Sequence, residues 1–169
     1  MKRERIVHPI PPTYDGESRI LILGSFPSAK SREMGYYYGN PNNRFWQVIA
    51  ALYGEETPET VEERRAFLLR NRVAAWDVIA ACTIEGASDN SIRDVAPNDL
   101  TPILNGSKVE KVFCNGRIAY DLYCRYCEEQ TGVRAVCLPS TSPANAAWTL
   151  RRLIEAWSAA GVGNGASLY

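Results

Sequence analysis

Histidine is almost absent from this 169-residue chain: the one copy, His8, lies near the amino terminus. That leaves no histidine-rich metal site and gives a serine hydrolase no base except His8. Ser25 and Ser28 follow an apolar run, yet no Gly-x-Ser-x-Gly turn presents either of them. Net charge is missing too. Nineteen Lys and Arg balance nineteen Asp and Glu, so contact with a polyanion has to be local rather than spread over the surface. No stretch approaches the roughly eighteen apolar residues of a membrane-spanning helix. The basic start, Met1-Lys2-Arg3-Glu4-Arg5, lacks the apolar core and cleavage site of a signal peptide, and a cytoplasmic location is expected. The cysteines, at 82, 114, 124, 127 and 137, are odd in number and are expected to stay thiols. Cys124 and Cys127 have metal-ligand spacing but no second pair, and read as inward positions of one helix face. Four-cysteine iron–sulfur spacing is also missing. Neither a metal nor a cofactor is expected.

What the chain does have is apolar mass. Some 46% of its residues are hydrophobic, enough to build the core of one domain over residues 1–169. Residues 1–17, with Pro9, Pro11 and Pro12, read as an extended lead-in, and 161–169 as a loose Gly/Ala/Ser tail. Arg19 to Gly24 is a continuous apolar run ended by glycine, the pattern of a strand buried on both faces. Further strands are expected over 73–79, 109–114 and 133–138. Helices are expected over 43–52, 60–70, 98–104, 117–129 and 144–160. Strands alternating with helices predict an α/β fold, one three-layer domain with a central, mostly parallel sheet between helices. Ligands of such sheets sit outside the carboxyl ends of the strands. Three segments with unusual polar chemistry leave those ends: Gly24 to Ser28, Asn115-Gly116, and Ser140 to Asn145.

The first of these continues into Tyr36-Tyr37-Tyr38-Gly39-Asn40-Pro41-Asn42-Asn43-Arg44-Phe45-Trp46. A strand that turns at Gly24 exposes the N–H groups of Ser25 and Phe26, which can hold a base carbonyl or the charge a departing base acquires. Tyrosines offer flat surfaces for stacking, worth about 1–3 kcal/mol per base. At least one of the three is expected inside instead, as are Phe45 and Trp46. Asn43 carries a carboxamide that can hold a water without itself titrating.

Gly24-x-x-Pro27, an aromatic at Tyr38, then Pro41-x-Asn43-Arg44-Phe45-Trp46 resembles the first motif of the uracil-DNA glycosylase superfamily. Pro139-Ser140-Thr141-Ser142-Pro143-Ala144-Asn145 falls where that superfamily keeps its second motif. The wording of both motifs is most similar to the hypoxanthine (deoxyinosine) branch. The resemblance covers roughly residues 18 to 158. It implies a monomeric, monofunctional enzyme that hydrolyses the N-glycosidic bond of a deaminated base flipped out of DNA. Phe26 stands where the superfamily usually has the Asp or Asn that activates water; the resemblance implies that Asn43 takes over the catalytic role. It also implies base contacts from Ser25, Phe26, Tyr38, Asn115 and Ser140, the last replacing the usual His or Asn. Ser28, Ser142, Ala144 and Asn145 are the implied DNA contacts, with Ala144 in the place of the bulky wedge that fills the gap left by a flipped base. Hypoxanthine is therefore expected to be preferred, with uracil possible. No lysine stands in either motif to form a Schiff base, so lyase chemistry is not expected.

Some residues keep two readings. Asn115 suits a base edge or an Asn-Gly turn. Asp77 and Ser88-Asp89-Asn90 suit a pocket wall or caps and turns. Arg93, Arg117 and Arg151 suit phosphate contact or plain exposure. A hydrolase using Ser25 or Ser28 is one rival function; a non-catalytic nucleic-acid or nucleotide-binding module is the other.

Overall fold

A computed structural model describes residues 3–85 and 91–163. Four apolar segments form a parallel sheet: β2 (Ile20–Gly24), β3 (Val73–Asp77), β6 (Lys111–Asn115) and β7 (Ala135–Leu138), in the order β3-β2-β6-β7. Gly24 pairs with Asp77, and Asn115 with Leu138, so the carboxyl ends of all four strands line one edge.

Helices cover both faces, which is why the strands are apolar on both sides. On one face Ile22, Val73, Ala75, Phe113 and Leu138 pack against α2 (Phe45–Leu52), α3 (Val61–Arg70) and α7 (Leu150–Ala159), through Phe45, Ile49, Phe67, Leu153 and Trp157. On the other, Leu21, Leu23, Val112 and Cys114 meet α4 (Thr101–Asn105) and α5 (Arg117–Tyr126), through Ile103, Ala119 and Tyr123. Fully burying each such Leu, Ile or Phe contributes about 1.5–3 kcal/mol. The alternation of a strand gives the terminal residues Asp77, Gly24, Asn115 and Leu138 the same side as Ala75, Ile22 and Phe113. They therefore form a row on the α2/α7 face. The three-layer α/β expectation agrees with this architecture.

A second, antiparallel sheet was not foreseen. β1 (Arg3–Val7), β4 (Ile79–Glu85) and β5 (Arg93–Pro97) pair in the order β1-β4-β5. The extended lead-in thus contains a strand in register with β4, from Arg3↔Glu85 to Val7↔Ala81. The single strand expected over 73–79 is two, divided at Val78 between the two sheets. Phe26, Ile79, Cys82 and Ile84 form a small core beneath this sheet.

Other boundaries move for local reasons. The loop after Pro27 contains α1 (Ala29–Met34), capped by Ser28. α3 starts after the Thr60 cap, whose side chain accepts from the Glu63 N–H. The helix expected over 117–129 breaks at Cys127 into α5 and the short α6 (Glu128–Thr131). The last helix starts six residues later than expected, at Leu150, where Thr149 caps it; residues 144–149 stay in the loop. Val162 is buried and its N–H donates to the Trp157 carbonyl, so the start of the supposed loose tail is docked; 164–169, like Ser88-Asp89-Asn90, lie outside the described residues. Cys127 faces the core while Cys124 on α5 is half-buried. No helix among the described residues is long and apolar enough to cross a membrane.

Candidate active site

The Tyr36–Trp46 segment is fixed by aromatic packing and by one indole. Trp46 Nε1–H donates to the Tyr37 carbonyl at 3.1 Å. Tyr36 and Tyr37 are interior: the Tyr36 hydroxyl bonds Thr13 at 2.7 Å, and the Tyr37 hydroxyl donates to the Pro11 carbonyl. Tyr38 differs. Its backbone is left-handed at φ 53°, an uncommon conformation for a residue with a β-carbon. One face of its ring lies on Phe45, centroids 4.0 Å apart and nearly parallel. Its hydroxyl is buried and makes no hydrogen bond of normal geometry among the described residues, although the Asn115 side chain lies close enough to act on it. Burial, with the nearby Asp77 carboxylate adding to it, pushes this phenol far above the ordinary tyrosine range, so it stays a neutral O–H.

Asn43 precedes α2 and turns its side chain back onto the helix start, where Oδ1 accepts from the Phe45 N–H at 3.0 Å. The same oxygen accepts from the Thr141 hydroxyl at 2.8 Å. Thr141, fully buried, also meets Asn115 twice: Asn115 Nδ2 donates to Thr141 Oγ1 at 2.9 Å, and the Thr141 N–H donates to Asn115 Oδ1 at 3.0 Å. One threonine therefore joins two asparagines that lie far apart in the sequence. Gly116, at φ 98°, lets the second loop come this close, because a β-carbon there would lie 3.0 Å from Ser140 Cβ.

Arg44 holds that loop in place. Its guanidinium donates to the carbonyls of Ser142 at 3.0 Å, Asn145 at 3.2 Å and Trp148, while its own N–H donates to the Thr141 carbonyl. Trp157 Nε1–H adds a bond to the Pro139 carbonyl at 2.9 Å. Within the loop, Ser140 Oγ accepts from the Ser142 N–H, Ser142 Oγ from the Ala144 N–H, and Asn145 Nδ2 donates to the Ser140 carbonyl. Pro143 and Ala144 are exposed at its tip.

At the other end of the row the Asp77 carboxylate lies against Gly24, where any β-carbon would overlap it. The partner of Asp77 is His8: Nε2 lies 2.7 Å from Oδ2, and both side chains are nearly inaccessible. His8 Nδ1 accepts from the Ile10 N–H at 3.2 Å. With Nδ1 an acceptor, Nε2 carries the hydrogen and donates to Asp77.

Several residues sit where the sequence places them and several do not. Asn43, Asn115, Tyr38 and the Ser140–Asn145 loop converge at the carboxyl edge. Phe26 turns its ring into the small core beside His8, so its side chain is not part of this cluster. Ser28 is occupied as the α1 cap, its Oγ accepting from the Ser31 N–H. Ser25 is half-buried, and its carbonyl accepts from Ile79. The Asp77 carboxylate is taken up by His8. Arg117 and Arg151 pair with Asp121 and Glu155 on their own helices. Thr141, Arg44 and His8 were missed as site-building residues; only the position of the first two inside the motif strings pointed at them. A polar cleft of about 390 Å³, lined by Arg19, Ser107, Lys108, Val109 and Glu110, lies at the opposite end of the sheet and shares no residue with this cluster. Among the described residues no three His, Cys, Asp or Glu side chains form a metal-holding group.

Fold and edge together define an α/β protein that gathers two carboxamides, a buried phenol and a tethered loop at the carboxyl edge of its parallel sheet. The family model of the uracil DNA glycosylase superfamily matches residues 11–161, and the chain belongs to that superfamily. It is similar to a hypoxanthine DNA glycosylase of Methanosarcina acetivorans, 36% identical over 153 residues, which cover 88% of this chain and 94% of the relative. A hypoxanthine DNA glycosylase of Methanosarcina barkeri is 36% identical over 110 residues, covering 58% of this chain and 70% of that one. The solution NMR structure of a Methanosarcina acetivorans protein described as a candidate uracil DNA glycosylase superposes with a TM-score of 0.77 at 34% identity. It covers 91% of this chain and 96% of its own.

Proposed function

We propose that this chain is a monofunctional DNA glycosylase that releases hypoxanthine, and more slowly uracil, from a nucleotide flipped out of DNA. The observation that carries this reading is the meeting of Asn43, Thr141 and Asn115 at the carboxyl edge of the sheet. The names of the two Methanosarcina relatives support the choice of base.

In the proposed reaction the flipped base enters beside Tyr38, whose ring face opposite Phe45 can stack it. Asn115, Ser140 and the main chain of Ser25 and Phe26 read its edge. The C1′–N bond breaks, its electron pair leaving with the base, and Asn43 is the catalytic residue. Water adds to C1′ and loses a proton, the base gains one, and the products are free base and an abasic site. Ser28, Ser142, Ala144 and Asn145 contact the strand. Phe26 cannot activate water and Ser140 cannot become cationic, so a base that departs without strong help is favoured. A purine, which can be protonated on its five-membered ring, is such a base; uracil is not. We propose further that the enzyme acts as a single-domain, cytoplasmic monomer without metal or cofactor.

The test is base release from oligonucleotides carrying one inosine, uracil or xanthine nucleotide, single- and double-stranded. Hypoxanthine released fastest supports the reading; binding without release of any base supports a non-catalytic module instead. The serine-hydrolase alternative loses its base in this geometry, because both ring nitrogens of His8 are occupied by Asp77 and Ile10.

A further inference from the structure

Which way Asn43 faces follows from its neighbours. The Phe45 N–H is a fixed donor, so the atom of Asn43 against it is Oδ1. The Thr141 N–H is likewise a fixed donor, so it is met by Asn115 Oδ1, and Asn115 Nδ2 therefore faces Thr141 Oγ1. Having accepted that hydrogen, the Thr141 hydroxyl sends its own onward to Asn43 Oδ1. Every bond in the chain from Asn115 to Asn43 thus has a single direction. Both lone pairs of Asn43 Oδ1 are filled, by Phe45 and Thr141. No described residue accepts from Asn43 Nδ2, and the residue is only half-buried.

We propose that Asn43 meets the substrate as a hydrogen-bond donor, through its amide hydrogens, and that Thr141 is the positioning residue that fixes this polarity. The proposal rests on the glycosylase reading above. It assigns Asn43 no part in accepting a proton from water. Its partner is an acceptor on the flipped nucleotide that gains negative charge as the C1′–N bond breaks: a ring nitrogen of hypoxanthine or the O2 carbonyl of uracil. A water that accepts from Nδ2 is placed but not deprotonated, so bond breaking runs ahead of water attack.

The test compares single-turnover rates of Asn43→Asp, Asn43→Ala, Thr141→Val and Thr141→Ser on an inosine duplex. Aspartate keeps the oxygen that Phe45 and Thr141 need but replaces the donor by an acceptor. Asn43→Asp is expected to be as slow as Asn43→Ala, both about a hundredfold or more below wild type. Asn43→Asp within about tenfold of wild type overturns the proposal, because an acceptor would then suffice. Thr141→Val is expected to lower the rate about tenfold or more without weakening DNA binding, and Thr141→Ser to restore most of it. Thr141→Val in an Asn43→Ala background is expected to cost nothing further; a full additional loss overturns the positioning role. Should Thr141→Val not fold, Asn43→Asp decides alone. The side-chain amide signals of Asn43 give a readout independent of activity: they should shift in Thr141→Val and when wild type binds an abasic-site duplex. If wild type releases no base, the glycosylase reading fails while these signals still test the relay; signals unmoved by Thr141→Val overturn it.

Discussion

The parallel strands end at Gly24, Asp77, Asn115 and Leu138, and every side chain placed in the site hangs from those ends or from the loops that follow. The antiparallel strands β1, β4 and β5 contribute no residue to the cluster of Tyr38, Asn43, Asn115 and Thr141, yet the segment leaving β1 delivers His8 to the Asp77 carboxylate. One sheet gathers the candidate residues; the other closes its flank and supplies a hydrogen-bond partner for a side chain that the first has buried. The difference teaches that a residue far from both motifs can help to build the edge where they meet.

Breaking the link between the sheets should have the largest effect. His8→Ala leaves the buried Asp77 side chain without its hydrogen-bond donor, and a loss of about 3 kcal/mol or more in urea unfolding is expected. Replacing both, as His8→Leu with Asp77→Leu, should cost less than His8→Ala alone, because no buried polar group is then left without its partner. A double variant as unstable as the single one would contradict this account of the pair.

The comparison sharpens at Arg44, which serves the parallel sheet's own loop. Arg44→Ala removes charged hydrogen bonds to three carbonyls of residues 142–148, and a loss of about 3 kcal/mol is expected. Lysine cannot reach three carbonyls in the same fork, so Arg44→Lys should recover little of it. Thermal melts of the two variants, measured beside base release, check this. Gly24→Ala comes next, at about 1–3 kcal/mol, because its β-carbon would overlap Asp77 and stand 3.3 Å from the Tyr38 hydroxyl. A melting temperature unchanged by Gly24→Ala would mean that the carboxylate can move aside.

How much of this was legible differs between the two sheets for a physical reason. Strands buried on both faces must be apolar throughout, so Ile20–Gly24 and Lys111–Asn115 declared themselves as runs. β1 and β5 are edge strands with exposed charged residues, Arg3 and Glu4 in one and Arg93 and Asp94 in the other, and carry no such run. Asn43 and Tyr38 stood out through a long, distinctive motif spacing, and Asn115 through its place at the carboxyl end of an expected strand. Thr141 was not, since its role depends on two bonds across 98 and 26 positions of sequence. His8 looked like a tail residue because its partner lies 69 positions away. The helix expected from Ala144 failed because apolar spacing does not register that Arg44 holds 142–148 as loop.

The smallest expected effect lies in the core that neither sheet's chemistry uses. Burial pushes the Cys127 thiol up to about 11 and the Tyr123 phenol up to about 12. Both groups ionise more readily unfolded than folded. Their contribution is therefore complete below about pH 9 and lost as pH rises towards 11 and 12. The melting temperature should fall across that window, and Cys127→Ala should flatten its first part; an unchanged slope in that variant would contradict the assignment.

The central claim, that the parallel sheet's edge is a hydrolytic site for deaminated bases with Asn43 at its centre, meets its most direct test in single-turnover base release. Matched duplexes carrying one inosine or one uracil are incubated with excess wild-type protein or with Asn43→Ala. The account predicts that wild type frees hypoxanthine faster than uracil and that Asn43→Ala is slower on inosine by about a hundredfold or more. Near-wild-type release of hypoxanthine by Asn43→Ala, or no release by wild type, would contradict it.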